Sequence, residues 1–169
     1  MIFETRRLLV RCLQQSDFPA FHEMQSDDEV MKYTASDGSI GRGLDEQQNR
    51  FQLDDCIKRY DHAGNRFWVW AIVEKQSNDF VGTCAIVENE QNEMEIGYRI
   101  LRKHWRKGMG VESAEGLITF AIGGMKLNSF VAYVDLRNLA SVKILQRSQM
   151  RLTERIESNG QTDLKFIWP

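Results

Sequence analysis

One stretch of the sequence, residues 93–114, combines residue types that can bind an anion. It runs from an alternating segment through a basic turn (residues 102–111) into a helical pattern. The turn contains Arg102, Lys103, Arg106, Lys107, Gly108 and Gly110. A helix N-terminus offers unpaired N–H groups and the positive end of the helix dipole, and glycines let a phosphate approach them closely. The stretch therefore predicts a phosphate site between a strand and a helix, although the turn taken alone fits a solvated loop or a nucleic-acid patch equally well.

The composition of the 169 residues limits the classes of protein to consider. With 42% apolar residues the chain can form a core without disulfides, and we expect one domain spanning residues 1–169. A formal charge of −2 gives no global reason to expect nucleic-acid or membrane binding. Three separated cysteines and three scattered histidines show no disulfide or metal-ligand spacing. We expect a soluble cytoplasmic protein without a metal, since the sequence shows no signal peptide and no apolar run of ~20 residues.

Hydrophobic spacing predicts a mixed α/β chain. Runs of β-branched and aromatic residues predict strands, and apolar residues three to four apart predict helices. The expected strands are residues 8–13, 67–73, 80–87, 93–100, 130–134, 151–157 and 161–168. The expected helices are residues 18–26, 29–33, 44–60, 108–122 and 139–148, with a loop at residues 34–43. Asn159 and Gly160 between the last two strands predict a hairpin.

Short motifs in a fixed order connect this chain with a known family. They are Glu4 and Thr5 with Arg7, Leu8, Val10 and Arg11; Asp17; Trp70 to Ile72; Val81 with Gly82; Glu95 to Tyr98; Trp105 to Gly110 with Glu112; and Asn138 with Ser141 and Lys143 to Leu145. Their order and separations resemble the GNAT superfamily of acyl-CoA-dependent N-acyltransferases, and more narrowly the branch of the ribosomal-protein N-terminal (RimJ/RimL-type) acetyltransferases. The resemblance implies a GNAT-type α/β fold, with a twisted, mostly antiparallel sheet flanked by helices.

Two positions depart from the usual superfamily pattern. Trp105 stands where the superfamily often has Gln or Arg, and tryptophan is usual there in the ribosomal branch. Gln149 and Met150 replace the Gly-Phe pair that commonly closes the last helix. The first departure supports the narrower assignment. The second predicts a changed helix end and pocket wall, which bears on the substrate preference.

The resemblance implies acetyl-CoA as the cosubstrate and assigns residues to hold it. N–H groups at the helix start would bind the pyrophosphate, and the end of the preceding strand would pair with the pantetheine arm near a bulge at Gly97. The implied residues are Gly97, Tyr98, Ile100, Arg106, Lys107, Gly108, Met109, Gly110, Val111, Asn138 and Ser141. For Gly97 the alternative is a plain strand glycine that allows close packing, and Asn138 can cap the next helix as well as contact the arm.

The implied reaction, direct transfer of an acyl group from a thioester to an amine, needs a base and a proton donor. Glu93 and Glu95 alternate along a strand, which places both carboxylates on one face. We favour Glu95 as the base or as the group that holds the ammonium, the alternative being a charged residue at a strand edge. Many members have an acidic tyrosine where this chain has Leu145. Ser141 is therefore the expected proton donor, with simple cofactor contact as its alternative.

Together these matches predict an acetyl-CoA-dependent N-acetyltransferase that acts on a primary amine without a metal. The first expectation is the N-terminal α-amine of a protein, such as a ribosomal protein, because an α-amine titrates near ~8 and lysine near ~10.4. The alternatives are a small amine (polyamine, amino sugar or antibiotic) and a non-catalytic acyl-CoA-binding domain. Net acidity disfavours a nucleic-acid-binding module. The C-terminal hairpin, with Phe166, Ile167 and Trp168, could form a homodimer interface or pack within the monomer.

Overall fold

The computed structural model, which describes residues 1–33, 43–158 and 160–168, shows an α/β fold built on one mixed eight-stranded sheet. The strands are β1 (Phe3–Glu4), β2 (Leu8–Cys12), β3 (Phe67–Glu74), β4 (Phe80–Glu88), β5 (Met94–Ile100), β6 (Phe130–Asp135), β7 (Arg151–Ser158) and β8 (Gln161–Trp168). The helices are α1 (Phe18–Gln25), α2 (Asp28–Met31), α3 (Glu46–Arg59), α4 (Met109–Gly123) and α5 (Leu139–Arg147). The strand order is β1-β2-β3-β4-β5-β6-β8-β7, and β5 and β6 form the parallel pair.

Local signals in the sequence explain where the helices begin. Asp45 accepts a hydrogen bond from the N–H of Gln48, and the Gln48 side chain accepts one from the N–H of Asp45, so this capping box opens α3. Pro19 lies in the first turn of α1, where its missing N–H costs no helical hydrogen bond. Asn138 caps α5 by accepting a hydrogen bond from the N–H of Ser141.

Alternation along β3 divides the core into two layers. Trp70 and Ile72 pack in the cluster that contains α4 and α5, whereas Ala71 and Val73 pack with α1 and α3. All four side chains are buried, as expected when helices cover both faces of a sheet. The basic turn and α4 therefore lie on one side of the sheet, and α1 and α3 lie on the other.

The fold class and the order of the elements predicted from the sequence are confirmed. Strand β1 was not expected, because its two residues are too few to show alternation. The predicted loop at residues 34–43 lies, except for Gly43, outside the described residues. So does Asn159 of the predicted hairpin, although β7 and β8 pair with Ser158 opposite Gln161, and Gly160 has a φ of 76°.

The C-terminal hairpin contributes apolar residues to the core. Phe166 on β8 is 1% exposed, and Trp168 stacks on Phe130 with 5.9 Å between ring centroids. These contacts correspond to packing within the monomer, which was the alternative to an interface role for this hairpin.

Candidate active site

The basic turn places backbone N–H groups at the start of α4. Arg106 and Gly108 both have positive φ, 60° and 77°, and the helix begins at the next residue. Glu112 donates its N–H to the Gly108 carbonyl, one turn back, at 3.1 Å. The N–H groups of residues 109–111 precede this bond and have no carbonyl one turn back in the helix. Together with the exposed Arg106 and Lys107 side chains they form a positive cradle that suits a phosphate group.

The two glycines of the turn serve different purposes. Gly108 has a left-handed backbone, and a Cβ there would also lie 3.3 Å from Nη2 of Arg7. A Cβ on Gly110 would make ordinary contacts, 3.6 Å from Cε2 of Tyr98 and 3.7 Å from Cδ1 of Ile144. Gly110 therefore relieves no clash within the protein. Its missing side chain leaves room between β5 and α5, as a bound acyl-CoA arm would require.

Strand β5 forms a regular ladder with β4 but leaves β6 early. The β4 register continues without a shift from Glu88 opposite Met94 to Gly82 opposite Ile100, so the bulge expected near Gly97 is wrong. In the part of the chain that the structure describes, β5 and β6 pair only at Glu95 and Val131. Beyond this pair the two strands separate, while β5 stays paired with β4 and β6 stays paired with β8. Backbone groups that β5 turns away from β4 then face the space between the two strands, here called the β5–β6 gap.

Trp105 ties the basic turn to the end of β5. Its indole Nε1–H donates to the carbonyl of Ile100 at 2.7 Å, while the Ile100 side chain lies in the core. The carbonyl of Ile100, one of the groups assigned to the cofactor from the sequence, thus already has one partner. A carbonyl oxygen can accept a second hydrogen bond, so the contact orients Ile100 without excluding a ligand.

Alternate side chains of β5 face opposite sides of the sheet. Tyr98 packs against the α4 layer, whereas Arg99 donates a hydrogen bond to Gln25 of α1. Glu95 and Gly97 share the side of Arg99 because side chains alternate along a strand. A Cβ on Gly97 would meet no atom of the described residues within 4 Å. As far as the structure describes the chain, the surface beside Glu95 is therefore open, and it lies on the opposite side of β5 from Tyr98.

Glu93, just before β5, and Glu95, within β5, have different hydrogen-bond partners. Glu93 binds Lys165 at 2.8 Å and accepts a hydrogen bond from the Tyr133 hydroxyl at 2.9 Å, and the Lys165 contact in particular lowers the pKa of Glu93. Glu95 is half-buried, and its carboxylate accepts a hydrogen bond from Nδ2 of Asn89 at 3.5 Å. Burial raises the pKa of Glu95; the Asn89 contact opposes this shift, and the charge of Glu93 adds to it. Of the two, Glu95 has the environment of a general base.

Two aspartates, Asp135 and Asp163, add to the acidic side chains on the face of the sheet that carries Glu93 and Glu95. Asp135 is bound at two points by Arg137, with Nη2 to Oδ2 at 2.6 Å and Nε to Oδ1 at 3.0 Å. Asp163 lies opposite Asp135 across β6 and β8. Burial raises the pKa of Asp163, and the charge of Asp135 adds to that shift. In the described residues, neither Glu95 nor Asp163 has a cation at salt-bridge distance, since Lys165 binds Glu93 and Arg137 binds Asp135.

The expected proton donor, Ser141, lies on the α4 side of the β5–β6 gap. The Tyr98 hydroxyl donates to Oγ of Ser141 at 3.2 Å, and burial raises the pKa of Tyr98. Oδ1 of Asn138 accepts the N–H of Ser141 at 3.3 Å, which fixes Ser141 in the first turn of α5. Leu145, the position at which the resemblance would place a tyrosine, is 4% exposed and belongs to the core. The structure therefore brings Ser141 together with Tyr98, a pairing that the sequence did not indicate.

Sequence reasoning missed several residues of this region. Lys165, Tyr133 and Asp163 come from strands that carry no recognisable motif. Only the sheet register brings the first two to Glu93 and Asp163 near Glu95. Arg7 and Glu112 were parts of the motif pattern but had no role assigned to them. Their position in that pattern was the one signal available.

Met150, one of the two residues after α5 that depart from the family pattern, packs in the core. Met150 is 5% exposed and packs in the core cluster of α4 and α5, while its N–H donates to the Ser148 hydroxyl. Met150 thus supplies buried apolar volume just after α5.

The described residues contain no group of three or more His, Cys, Asp or Glu side chains arranged to hold a metal ion. Over the same residues, no helix is both long and apolar enough to cross a bilayer.

Comparison with known proteins identifies the family. The model of the acetyltransferase (GNAT) domain matches residues 7–151. The chain belongs to the GNAT acetyltransferase family. A relative described as the uncharacterized N-acetyltransferase p20 of Bacillus licheniformis is 31% identical over 147 residues, which cover 83% of this chain and 77% of p20. This GNAT protein is therefore an acyltransferase.

Solved structures show the same fold. A GNAT-family acetyltransferase from Bacillus anthracis has a TM-score of 0.80 at 22% identity, covering 98% of this chain and 96% of that one. RimL, a ribosomal L7/L12 alpha-N-protein acetyltransferase in complex with coenzyme A, has a TM-score of 0.79 at 18% identity, with 99% and 96% covered. Spermidine N-acetyltransferase from Vibrio cholerae, in complex with CoA and spermine, has a TM-score of 0.78 at 13% identity, with 97% and 96% covered. At these identities the likeness concerns the fold, and the neighbours act on different amines.

Proposed function

We propose that this GNAT protein uses acetyl-CoA to acetylate the N-terminal α-amine of a protein, with ribosomal proteins as the first candidates and the RimJ/RimL-type branch as its group. The observation that carries the proposal is the environment of Glu95. Its carboxylate is half-buried, has a raised pKa and has no bound cation in the described residues, beside an open surface at the β5–β6 gap. A carboxylate in this environment is suited to receive an ammonium group and remove its proton.

The donor side of the site consists of the basic turn and the gap. Acetyl-CoA, when bound, supplies an acetyl group activated as a thioester. The N–H groups of residues 109–111, with Arg106, Lys107 and Gly108, hold the pyrophosphate. The free edge of β5, including Gly97, Tyr98 and Ile100, orients the pantetheine arm through backbone hydrogen bonds. Asn138 and Ser141 bound the gap from the first turn of α5.

On the acceptor side, Glu95 prepares the amine. An amine attacks only in its neutral form, and Glu95 takes the proton directly or through one water molecule. Because burial raises the pKa of Glu95 toward the ~8 of an α-amine, the proton transfer is less uphill than it would be to an ordinary carboxylate. A lysine amine, with a pKa near ~10.4, would need more help.

On the leaving-group side, Ser141 stabilises the thiolate. Tyr98 donates to Oγ of Ser141, so the hydroxyl hydrogen of Ser141 is free to point toward the leaving sulfur. Tyr98 acts through Ser141 and is a positioning residue. Ser141 thereby takes the role that a tyrosine would have at the position of Leu145.

The charge balance of the acceptor face favours a single ammonium group over a polyamine. Lys165 and Arg137 already neutralise Glu93 and Asp135, at 2.8 and 2.6 Å. Of these four carboxylates only Glu95 and Asp163 are left for the substrate. A polyamine carries more ammonium groups than these two can balance, whereas one α-ammonium group is balanced by Glu95 alone. A small amine therefore remains the second candidate, and the fold likeness to spermidine N-acetyltransferase is what supports it.

A panel of amines tests the proposal. Purified protein is incubated with acetyl-CoA and one of four acceptors, and CoA release is followed. The acceptors are a peptide with a free N-terminus, a peptide that has a blocked N-terminus and contains lysine, spermidine, and an amino sugar. We expect release with the free N-terminus and little with the other amines. Release only with spermidine or the amino sugar would support the small-amine alternative. Binding of acetyl-CoA without turnover on any amine would indicate a non-catalytic acyl-CoA-binding domain.

Three broader expectations belong to the same proposal. The protein is proposed to be one domain, to act in the cytoplasm, and to be either a homodimer or a monomer, and its three free cysteines agree with a reducing compartment. Light scattering on the purified protein decides between the homodimer and the monomer.

A further inference from the structure

Arg7, from the segment between β1 and β2, reaches the basic turn. Its Nη1 donates to the carbonyl of Lys107 at 2.9 Å, and its Nε donates to Oε2 of Glu112 at 2.6 Å. The backbone N–H of Arg7 and the hydroxyl of Thr5 both donate to Oε1 of Glu112, at 2.7 and 2.6 Å. Arg7 therefore bridges the residue just before Gly108 and the first turn of α4.

Glu112 poses an electrostatic problem at this place. A carboxylate in the first turn favours the helix itself, because it faces the positive end of the dipole. The same negative charge would repel a pyrophosphate bound at that helix end. Burial raises the pKa of Glu112, but the hydrogen bonds from Thr5 and Arg7 outweigh burial and leave it below the usual range, so the carboxylate is ionised. Arg7 supplies the cation that balances this charge.

Arg7 also fixes the orientation of a peptide group in the cradle. A trans peptide is planar, and its C=O and N–H point in opposite directions. Since the carbonyl of Lys107 is turned toward Arg7, the N–H of Gly108 is turned away from it. A left-handed Gly108 then leads into α4. The contact therefore selects one direction for the N–H that stands at the entrance to the anion cradle.

We propose that Arg7 is a positioning residue for the phosphates of acyl-CoA: it neutralises Glu112 and holds the Lys107–Gly108 peptide so that the cradle is formed before the ligand arrives. The inference rests on the proposed role of the basic turn in binding CoA. It goes beyond that role because it assigns a function to a residue 100 positions before Lys107. Arg7 does not itself need to touch the phosphates.

Calorimetric titration with CoA tests this role, with Arg6→Ala as the matched control. Both Arg7→Ala and Arg6→Ala remove one positive charge from adjacent positions, and Arg6 is exposed. We expect Arg7→Ala to weaken CoA binding at least about tenfold, as loss of a charge-assisted hydrogen-bond network would. Arg6→Ala should change the affinity less than about twofold, since an exposed charge is screened. Equal losses in the two variants, or no loss in Arg7→Ala, would overturn the proposal.

A second substitution separates charge balance from general damage. Glu112→Gln removes the carboxylate that Arg7→Ala leaves unbalanced, so the double variant Arg7→Ala/Glu112→Gln should recover part of the lost affinity. A double variant that binds CoA as weakly as Arg7→Ala would contradict the charge-balance part of the inference. Thermal unfolding of each variant shows whether it is folded. If Arg7→Ala does not fold, Arg7→Lys is measured in its place. Lysine keeps the positive charge but lacks the guanidinium group that donates to both Lys107 and Glu112, so we expect the affinity for CoA to fall by more than about twofold.

Steady-state kinetics give an independent readout. A residue that acts only on the cradle should raise KM for acetyl-CoA and leave kcat at saturation nearly unchanged in Arg7→Ala. A fall in kcat with unchanged KM would count against a role in the cradle. If the wild-type protein fails to bind CoA, the proposed function fails, whereas wild-type binding with unaffected Arg7 variants defeats this inference alone.

Discussion

The basic turn and the β5–β6 gap lie at the two ends of residues 93–114, and they differ in how their neighbouring carboxylates are paired. Next to the basic turn, in the first turn of α4, the carboxylate of Glu112 is held by Arg7 and Thr5 through contacts of 2.6 to 2.7 Å. At the gap, the carboxylate of Glu95 accepts a long hydrogen bond from Asn89, has no salt bridge within the described residues, and has a raised pKa. The comparison separates binding from chemistry. A cradle for a constant ligand can be fully satisfied in advance, whereas a catalytic carboxylate must keep its unfavourable environment until the amine arrives.

Among the substitutions near the gap and the turn, Glu95→Gln should lower kcat the most. Glutamine keeps the shape but cannot accept the proton, and loss of a general base costs about 10²-fold or more in kcat. The affinity for CoA, measured by calorimetry, should stay within about twofold. Glu93→Gln is the matched control, since Glu93 is already bound by Lys165. A similar loss of kcat in both variants would remove the special role of Glu95.

The pH dependence of turnover sharpens the same point. Glu95 must be ionised to act, and its pKa is raised by burial, so kcat should be retained above that raised pKa and fall as pH drops through it, by up to about tenfold per pH unit. The acid limb should therefore lie above the ordinary glutamate pKa of ~4.3. In Glu95→Gln the residual kcat should lack this limb. A limb that persists unchanged in the variant would have to come from another group.

Ser141→Ala is expected to lower kcat about tenfold, because the leaving thiolate loses a hydrogen bond worth on the order of 1.4 kcal/mol in the transition state. Tyr98→Phe should have a smaller effect, about threefold, and no additional effect in the Ser141→Ala background, since Tyr98 acts through Ser141. The kcat values of the two single variants and the double variant test this. Additive losses would show that Tyr98 has a separate role.

Gly108→Ala should have the smallest effect on the reaction and should act on binding alone. An alanine at a φ of 77° is strained by about 1–2 kcal/mol, and relief of that strain would shift the cradle. We expect CoA to bind about threefold more weakly. Gly64→Ala, at a φ of 79° with open space around it, is the control for backbone strain. Both variants should unfold at lower temperature, and only Gly108→Ala should lose affinity for CoA.

The sequence predicted the basic turn in more detail than the gap. The turn is a local feature, because Arg106, Gly108 and the start of α4 follow one another and their types determine the backbone. The gap is assembled from distant positions: Tyr98 and Ser141 are 43 residues apart, and Lys165 and Glu93 are 72 apart.

Spacing alone does not report such contacts. The predicted bulge at Gly97 fails for the same reason, since the separation of β5 from β6 is a property of the sheet and Gly97 itself lies in a regular ladder. Likewise, nothing in the local sequence of Arg7 indicates that it bonds to Glu112, 105 positions later.

The most direct test of the central claim, that Glu95 and the β5–β6 gap acetylate an α-amine, is to locate the acetyl group on a product. A peptide with one free α-amine and one internal lysine is incubated at neutral pH with acetyl-CoA and the wild-type protein, and tandem mass spectrometry assigns the modified nitrogen. The account predicts one acetyl group on the α-amine and an unmodified lysine. Acetylation of the lysine, or of neither amine, would contradict it.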